Sequence, residues 1–531
     1  QMSGNAKMVV NFDIPFIKRQ KPKVSMSAEA VVSDIGLTGM FEQADIDGGT
    51  MTFSYAAGMV SGKGTVELNS VPAAIAWSRP VGKGISGGDQ LVIEADLDDL
   101  ERKRLGLDMG GFVRGRARIK LAGENMRGKL GRAHVEANLD RSELRVDAIR
   151  WRRPPGSKAT ASFDIDFTDP QHKTIDNLKV EGTDLSVAGR LVLGANGEIL
   201  NADFPKVVLD DENRFSLKVR RDAGAIAATI DGRNFDARNL IGGLFAKSTG
   251  ADDGVGDAAK TPVSVKASFA RVYAHRGEEL KAVVGSFSVR GSFVHQADVQ
   301  GVFLSGAPVT LRITPDESGA RELRIVCRDG GAALRASNLY SKVSGGQLEF
   351  TASLGAVGDS SVRRGQLVMR NFEVRNEVAM KGIEQPGTAG SRRAGPRTDT
   401  ILFAKLNMPF STDQNFVRIG DSLIQGAELG ASAQGVIRKQ DGALDIGGTV
   451  IPAYAINAAL GEFPILGEIL TGGKGQGVFG MNFALRGTMA DPQLVVNPVS
   501  ALAPGIFRHI FGAGGPPPSS RKSAAPRKDT K

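Results

Sequence analysis

Apolar and polar residues alternate with period two along most of this chain. Phe163, Ile165 and Phe167 alternate with Asp164 and Asp166, and Phe215, Leu217 and Val219 alternate with Ser216, Lys218 and Arg220. Val309, Leu311 and Ile313, then Leu323 and Ile325, then Leu348, Phe350, Ala352 and Leu354 repeat the arrangement. Successive side chains of a strand point to opposite faces, so each run predicts a half-buried antiparallel strand. Turn signals separate these runs at intervals of roughly 10 residues: Ala195-Asn196-Gly197, Asp222-Ala223-Gly224, Ser318-Gly319 and Asp441-Gly442. The pattern predicts a mainly β chain.

Helical periodicity is confined to short pieces. Residues 236–245 place Leu240, Ile241, Leu244 and Phe245 on one face, with Asp236 as a cap. Residues 97–104, 333–343, 455–470 and 504–511 complete the set, and Pro504 sits in a first turn where its missing N–H costs little. Two polar, Gly-rich stretches, 247–262 and 381–400, read as a linker and a disordered insertion. They divide the chain into an N-terminal β segment 1–246, a middle β segment 263–380, a C-terminal region 401–511 and a disordered basic tail 512–531.

Composition narrows the chemistry. At 531 residues the chain is too long for one compact core. Phe outnumbers the other aromatics, 25 against 4 Tyr and 2 Trp, which suits apolar surface with no polar tip to satisfy. The net charge of +9 is partly the work of the tail and of Arg392, Arg393 and Arg397. A clustered basic face with stacking aromatics is missing, so nucleic acid is not the expected partner. A solitary Cys327 rules out an intramolecular disulfide framework and reads as a small buried hydrophobe.

Catalytic patterns are missing too. His134, His172, His275, His295 and His509 have no partner at metal-ligand spacing. Ser61-Gly62-Lys63-Gly64 and Gly472-Gly473-Lys474-Gly475 approach a phosphate-loop pattern without completing it and read as turns. The acidic runs Asp96-Leu97-Asp98-Asp99 and Asp210-Asp211-Glu212 lack calcium-loop spacing and read as solvated turns. No enzyme activity, metal or cofactor is expected.

Residues 444–511 carry the longest ordered signal: a strand at 444–450, an apolar helix pair broken at Pro464, a Gly-rich turn, a strand at 478–486, then VNP and a final helix. The pieces GGTVIPAYAIN, FPILGEILTGG, the F-x-L-x-G-x-x-x-D-P strand exit and VNPVSALAPGIFRHIF resemble the C-terminal region of AsmA-like proteins. Specifically they resemble the YhdP-like branch of the bridge-type lipid-transfer (AsmA/TamB-like) superfamily. The resemblance implies an antiparallel sheet curled into an apolar groove, elongated in shape, that carries phospholipid non-enzymatically across the periplasm between the inner and outer membranes. It implies a contribution to cell-envelope and outer-membrane integrity. It also implies an inner-membrane anchor, an N-terminal helix that this chain lacks; no run here reaches the roughly 18 apolar residues of a spanning helix.

The residues alone leave a choice open. A sheet with one apolar face hides it against helices, a second sheet or a ligand, and helices are too few to cover it. A sandwich would suit a structural or assembly scaffold without lipid cargo, and a β-rich carbohydrate-active enzyme would need aromatic platforms that two Trp, Trp77 and Trp151, scarcely supply. A groove would hold acyl chains, each buried CH₂ contributing about 0.8 kcal/mol. The expected groove lining is Phe163, Ile165, Phe167, Phe215, Leu217, Val219, Phe287, Val289, Leu348, Phe350 and Leu354. Ile506, Phe507, Ile510 and Phe511 form a terminal stripe expected to meet a membrane surface or an envelope protein.

Overall fold

A computed structural model describes residues 2–14, 25–38, 45–82, 88–107, 109, 111–126, 129–222, 224–245, 261–290, 293–355, 363–375, 400–427, 429–452, 481–489 and 491–497. Of these, 73% lie in strands and 6% in helices, so the protein is mainly β. The helices are short: Asp99–Arg104, Arg238–Phe245 and Gly330–Ala336. Two compact units are present, Gln1–Asn338 with Thr351–Asp359, and Leu339–Phe350 with Ser360–Lys531.

The first unit is a ladder that follows chain order. From Met2–Asp13 it passes through Ser25–Leu37, Ile46–Ala56, Met59–Leu68, Val71–Pro80, Asp89–Leu97, Ala117–Met126 and Lys129–Asn138. It continues through Ala159–Asp166, His172–Gly182, Leu185–Gly194, Ile199–Val208, Arg214–Asp222 and Ala225–Asp236. Val263–Tyr273, Glu279–Arg290, Phe293–Phe303, Pro308–Pro315 and Arg321–Cys327 complete it. At about 4.8 Å per strand, the path across this ladder is on the order of 85 Å. Its first and last strands do not pair with each other, and the sheet is not closed into a barrel.

One pairing departs from the antiparallel expectation. Ala225–Asp236 and Val263–Tyr273 run parallel. A parallel neighbour needs a crossover of a dozen or more residues, and the helix Arg238–Phe245 with the stretch up to Val263 supplies it. The strands that flank 247–262, the segment read as a linker, are therefore neighbours in one ladder.

The connections at the two rims of this ladder differ. Along one rim lie the three α-helices of the described residues and a small three-stranded sheet, Val113–Gly115, Ser142–Val146 and Trp151–Arg153. They are inserted after Leu97, Asn138, Asp236 and Cys327, whose strands end at the same side by register. At the opposite rim, turns such as Ala57-Gly58 join the strands directly, and no helix occurs there among the described residues. Burial follows the insertions: Val71, Ala117, Leu139, Ala159 and Leu185 at the first rim are nearly inaccessible. The small sheet closes over Ala137, Ala159, Leu185 and Val207, with Trp151 and Phe215 packed beside them. We call the two sides the closed rim and the open rim.

In the second unit, Arg363–Arg375, Thr400–Thr412, Phe416–Gly426, Leu429–Arg438, Leu444–Pro452, Met481–Gly487 and Pro492–Asn497 pair antiparallel in chain order. Its apolar registers pair Met369 with Leu406 and Phe372 with Phe403, whose rings stack at 5.2 Å. The turn after Thr412 is held by Asp413, whose carboxylate accepts from the amides of Asn415 and Phe416 at 2.8 Å each and from the Arg418 guanidinium. The Arg418 bond, then those amides, lower its pKa from 3.8 to about 2. A carboxylate depressed in the folded state stabilises fully above its unfolded pKa and loses that contribution as pH falls through the folded one. Protection of the Asn415 and Phe416 amides, corrected for intrinsic exchange, is expected to fall between pH 4 and pH 2. Asp413→Asn should abolish the pH dependence; an unchanged profile would show that the turn does not depend on the carboxylate.

Several local expectations are corrected. The helix expected at 333–343 is Gly330–Ala336, because Asp329 caps it by accepting from the Ala332 amide at 2.9 Å and Asn338 turns left-handed at φ 55°. Ser61-Gly62-Lys63-Gly64 is not a turn but the interior of the strand Met59–Leu68. Asp98 and Asp99 are not a solvated turn. Asp98 caps the helix Asp99–Arg104 through the Leu100 and Glu101 amides, both at 2.9 Å, and Glu101 returns a bond to the Asp98 amide at 2.7 Å. That geometry is a capping box. Asp210 likewise accepts from Trp151 Nε1 at 3.0 Å and from the Asn213 amide at 2.7 Å. The helices expected at 455–470 and 504–511, with Ile506, Phe507, Ile510 and Phe511, lie outside the described residues.

Candidate functional site

Residues directly opposite in a ladder share a face, so the registers trace the apolar side strand by strand. Val135 faces Phe163 and Ala133 faces Ile165; Ile165 faces Ile175, which faces Leu191. Ala202 and Phe204 lie opposite Val219 and Leu217, and these face Ala228 and Ile230. The row continues through Val265 to Phe287 and Val263 to Val289, then to Ala297 and Ile313. The first unit thus has one continuous apolar floor.

Phe163, Ile165, Phe215, Leu217, Val219, Phe287 and Val289 all lie on this floor, and Phe167 follows directly after the end of its strand at Asp166. The remaining three expected lining residues belong to the strand Val343–Gly355, which both units share. Leu348 is buried, and Phe350 stacks on Phe410 at 5.3 Å within the second unit. Leu354 belongs to the first unit, where its carbonyl accepts from Arg321 at 3.5 Å.

Exposure decides between a covered and an uncovered floor. An inner face of a sandwich is buried by the opposite sheet. Here Phe163, Ile165, Ile175, Leu191, Leu217, Val219, Ile230, Val265 and Phe287 are only half-buried, while their polar neighbours Lys218, Arg220 and Lys266 are exposed. From Ala159–Asp166 to Phe293–Phe303 the floor is sheltered along the closed rim and accessible toward the open one. Nearer the N-terminus the same face is tighter: Val66, Ile75 and Leu91 are buried in a cluster that includes Phe53 and Trp77.

The opposite face is a mesh of ion pairs. Arg132 bonds Asp166 at 2.9 Å, Arg190 bonds Asp176 at 3.0 Å and His134 Nδ1 meets Asp164 at 2.7 Å. Arg132, His134, Asp164, Asp166 and Asp176 line a shallow depression of about 650 Å³. The bonds from Asn177 and His134 hold the Asp164 carboxyl below its usual range, so it is an ionised acceptor and a poor proton donor. Such exposed pairs contribute little stability.

Reactive groups are scarce. Among the described residues no group of three or more His, Cys, Asp and Glu could hold a metal ion. Cys327 is buried, and desolvation pushes its thiol up to about 11. It is held by the Asp329 backbone, with 3.2 Å to the carbonyl and 3.3 Å to the amide. Trp77 bonds Asp89 at 3.3 Å and packs against the N-terminal cluster, and Trp151 packs inside the closed rim, so neither stands free as a platform for a sugar ring. No helix among the described residues is long and apolar enough to cross a membrane, a statement that does not bear on β-barrels.

Alternation made legible which residues of a strand share its apolar face. The helices of the closed rim were legible as short helical stretches, but its small sheet was not, because the apolar residues of those short strands, such as Val113 and Leu144, show no period of their own. Comparison with known protein families, curated proteins and solved structures finds no match for this chain.

Proposed function

We propose that the protein is a non-enzymatic phospholipid conduit whose acyl chains lie along the apolar floor of the ladder. The observation that carries this reading is the half-buried row from Phe163 to Phe287, continuous in register and not covered by a second sheet among the described residues of the first unit. A contiguous apolar surface of this extent calls for an apolar occupant. The open rim lets headgroups remain in water while each CH₂ laid on the floor contributes about 0.8 kcal/mol. Similar side chains repeat from strand to strand, so no deep well traps the cargo.

The resemblance of residues 444–511 to AsmA-like, YhdP-like proteins supports the same reading. It extends it to transport between the inner and outer membranes, from a periplasmic position with an inner-membrane anchor, in support of envelope integrity. The stripe Ile506, Phe507, Ile510 and Phe511 then serves to engage a membrane or envelope protein at the C-terminal end.

Native mass spectrometry of protein purified without detergent tests the reading. Co-purified phospholipid is the expected result, in several copies per chain. Protein that is folded and lipid-free from phospholipid-containing cells would overturn it and leave the envelope scaffold as the better account.

A further inference from the structure

The apolar face is rich in strand glycines that sit beneath phenylalanine rings. A methyl group built on Gly62 would lie 2.7 Å from both Cδ1 and Cε1 of Phe53, its partner across the ladder. On Gly232 it would lie 2.5 Å from Cε1 of Phe269, again the ladder partner. On Gly285 it would lie 3.0 Å from the Phe287 ring. In the second unit a methyl group on Gly448 would lie 2.7 Å from the ring of its partner Phe483 but would also run into the Ser432 carbonyl oxygen, so there the neighbouring backbone by itself already requires glycine. These glycines do not sit in turns, and Gly62, Gly232, Gly285 and Gly448 are not among the residues of positive φ. Their backbone conformation does not demand glycine; the space above them does.

We infer that these Gly–Phe pairs set the clearance of the conduit: each glycine lets a ring lie flat on the sheet, giving a smooth aromatic floor for acyl chains. This rests on the lipid-conduit reading. With any Cβ at the glycine the ring must rotate to another staggered χ1 and stand into the path of the chains. A ring lying over a cross-strand glycine is also a known means of stabilising sheets. The plain alternative is that the glycines serve sheet stability alone.

Gly62→Ala tests the inference, because the atoms it meets are the Phe53 ring and, at 3.3 Å, the Met51 methyl, with no backbone in the way. A photo-crosslinker at Val60, on the same strand face, reports lipid beside the pair, and one at Leu217 reports lipid far along the ladder. In Gly62→Ala, capture of phospholipid at Val60 is expected to fall about tenfold with capture at Leu217 retained. The double variant Phe53→Leu, Gly62→Ala should restore it. Undiminished capture at Val60 in a folded Gly62→Ala protein overturns the inference. Should Gly62→Ala fail to fold by circular dichroism, the double variant decides. A folded double that captures lipid supports the inference, and an unfolded one shows the glycine serving the backbone and overturns it. Absence of capture at both positions in the unsubstituted protein would instead sink the conduit reading itself.

Discussion

Arg102→Ala should destabilise the first unit by roughly 3 kcal/mol, because it removes a buried guanidinium whose partners cannot rearrange. Arg102 is 1% exposed at the closed rim. Its Nη1 donates to the carbonyls of Leu97 at 3.0 Å and Gly115 at 2.6 Å, and its Nη2 donates to that of Val113 at 3.3 Å and to Asp99. Asp99 in turn accepts from the Gly115 amide at 3.1 Å. One side chain therefore ties the helix Asp99–Arg104 to the end of Asp89–Leu97 and to the small sheet. Truncation leaves three carbonyls without their donor in a site from which water is largely excluded. Lys at this position is a point donor without the fork and should fall between the two.

Because the chain holds two compact units, a single global transition is a poor measure of this effect. Amide exchange is better: protection at Val113 and Gly115 should drop about 150-fold, the ratio that 3 kcal/mol carries. A drop of less than about fivefold, or roughly 1 kcal/mol, would mean that water replaces the guanidinium and that the closed rim does not depend on it.

A photo-crosslinker at Leu217 should capture phospholipid at least about tenfold more efficiently than one at Lys218. The two positions are adjacent in sequence and differ only in face. Leu217 is half-buried between Phe204 and Ile230, whereas Lys218 is exposed among Asp203 and Thr229. Both sit mid-strand, so local mobility and reagent access are matched. Leu217→Asp should deplete lipid to a similar degree, since a carboxylate on the floor must be desolvated by the passing chain. Because Leu217 is only half-buried, the substitution should leave the sheet folded, unlike a charge at Leu91, which is 2% exposed on the same face. Equal capture at the two positions would contradict an apolar conduit and favour a non-specific lipid coat.

The period-two pattern of the chain determined its strands and which residues share a face. For Phe215, Leu217 and Val219, for example, side-chain alternation is a property of the strand itself and needs no knowledge of its partners. The hairpin turns at Gly197, Gly224, Gly319 and Gly442 were legible for a similar local reason: each glycine has φ between 68° and 81°, a region that other residues avoid. Gly62 and Gly64 were misread as a turn because the cause of those glycines lies on another strand, in the Phe53 ring and in the Met51 backbone 2.7 Å from a Cβ on Gly64. The parallel pairing of Ala225–Asp236 with Val263–Tyr273 likewise depends on where a crossover lands, which no local pattern encodes. The division into a closed and an open rim was decided by tertiary structure alone. It arises because the insertions after Leu97, Asn138, Asp236 and Cys327 all leave strands on the same side, a consequence of strand parity and register across the whole ladder.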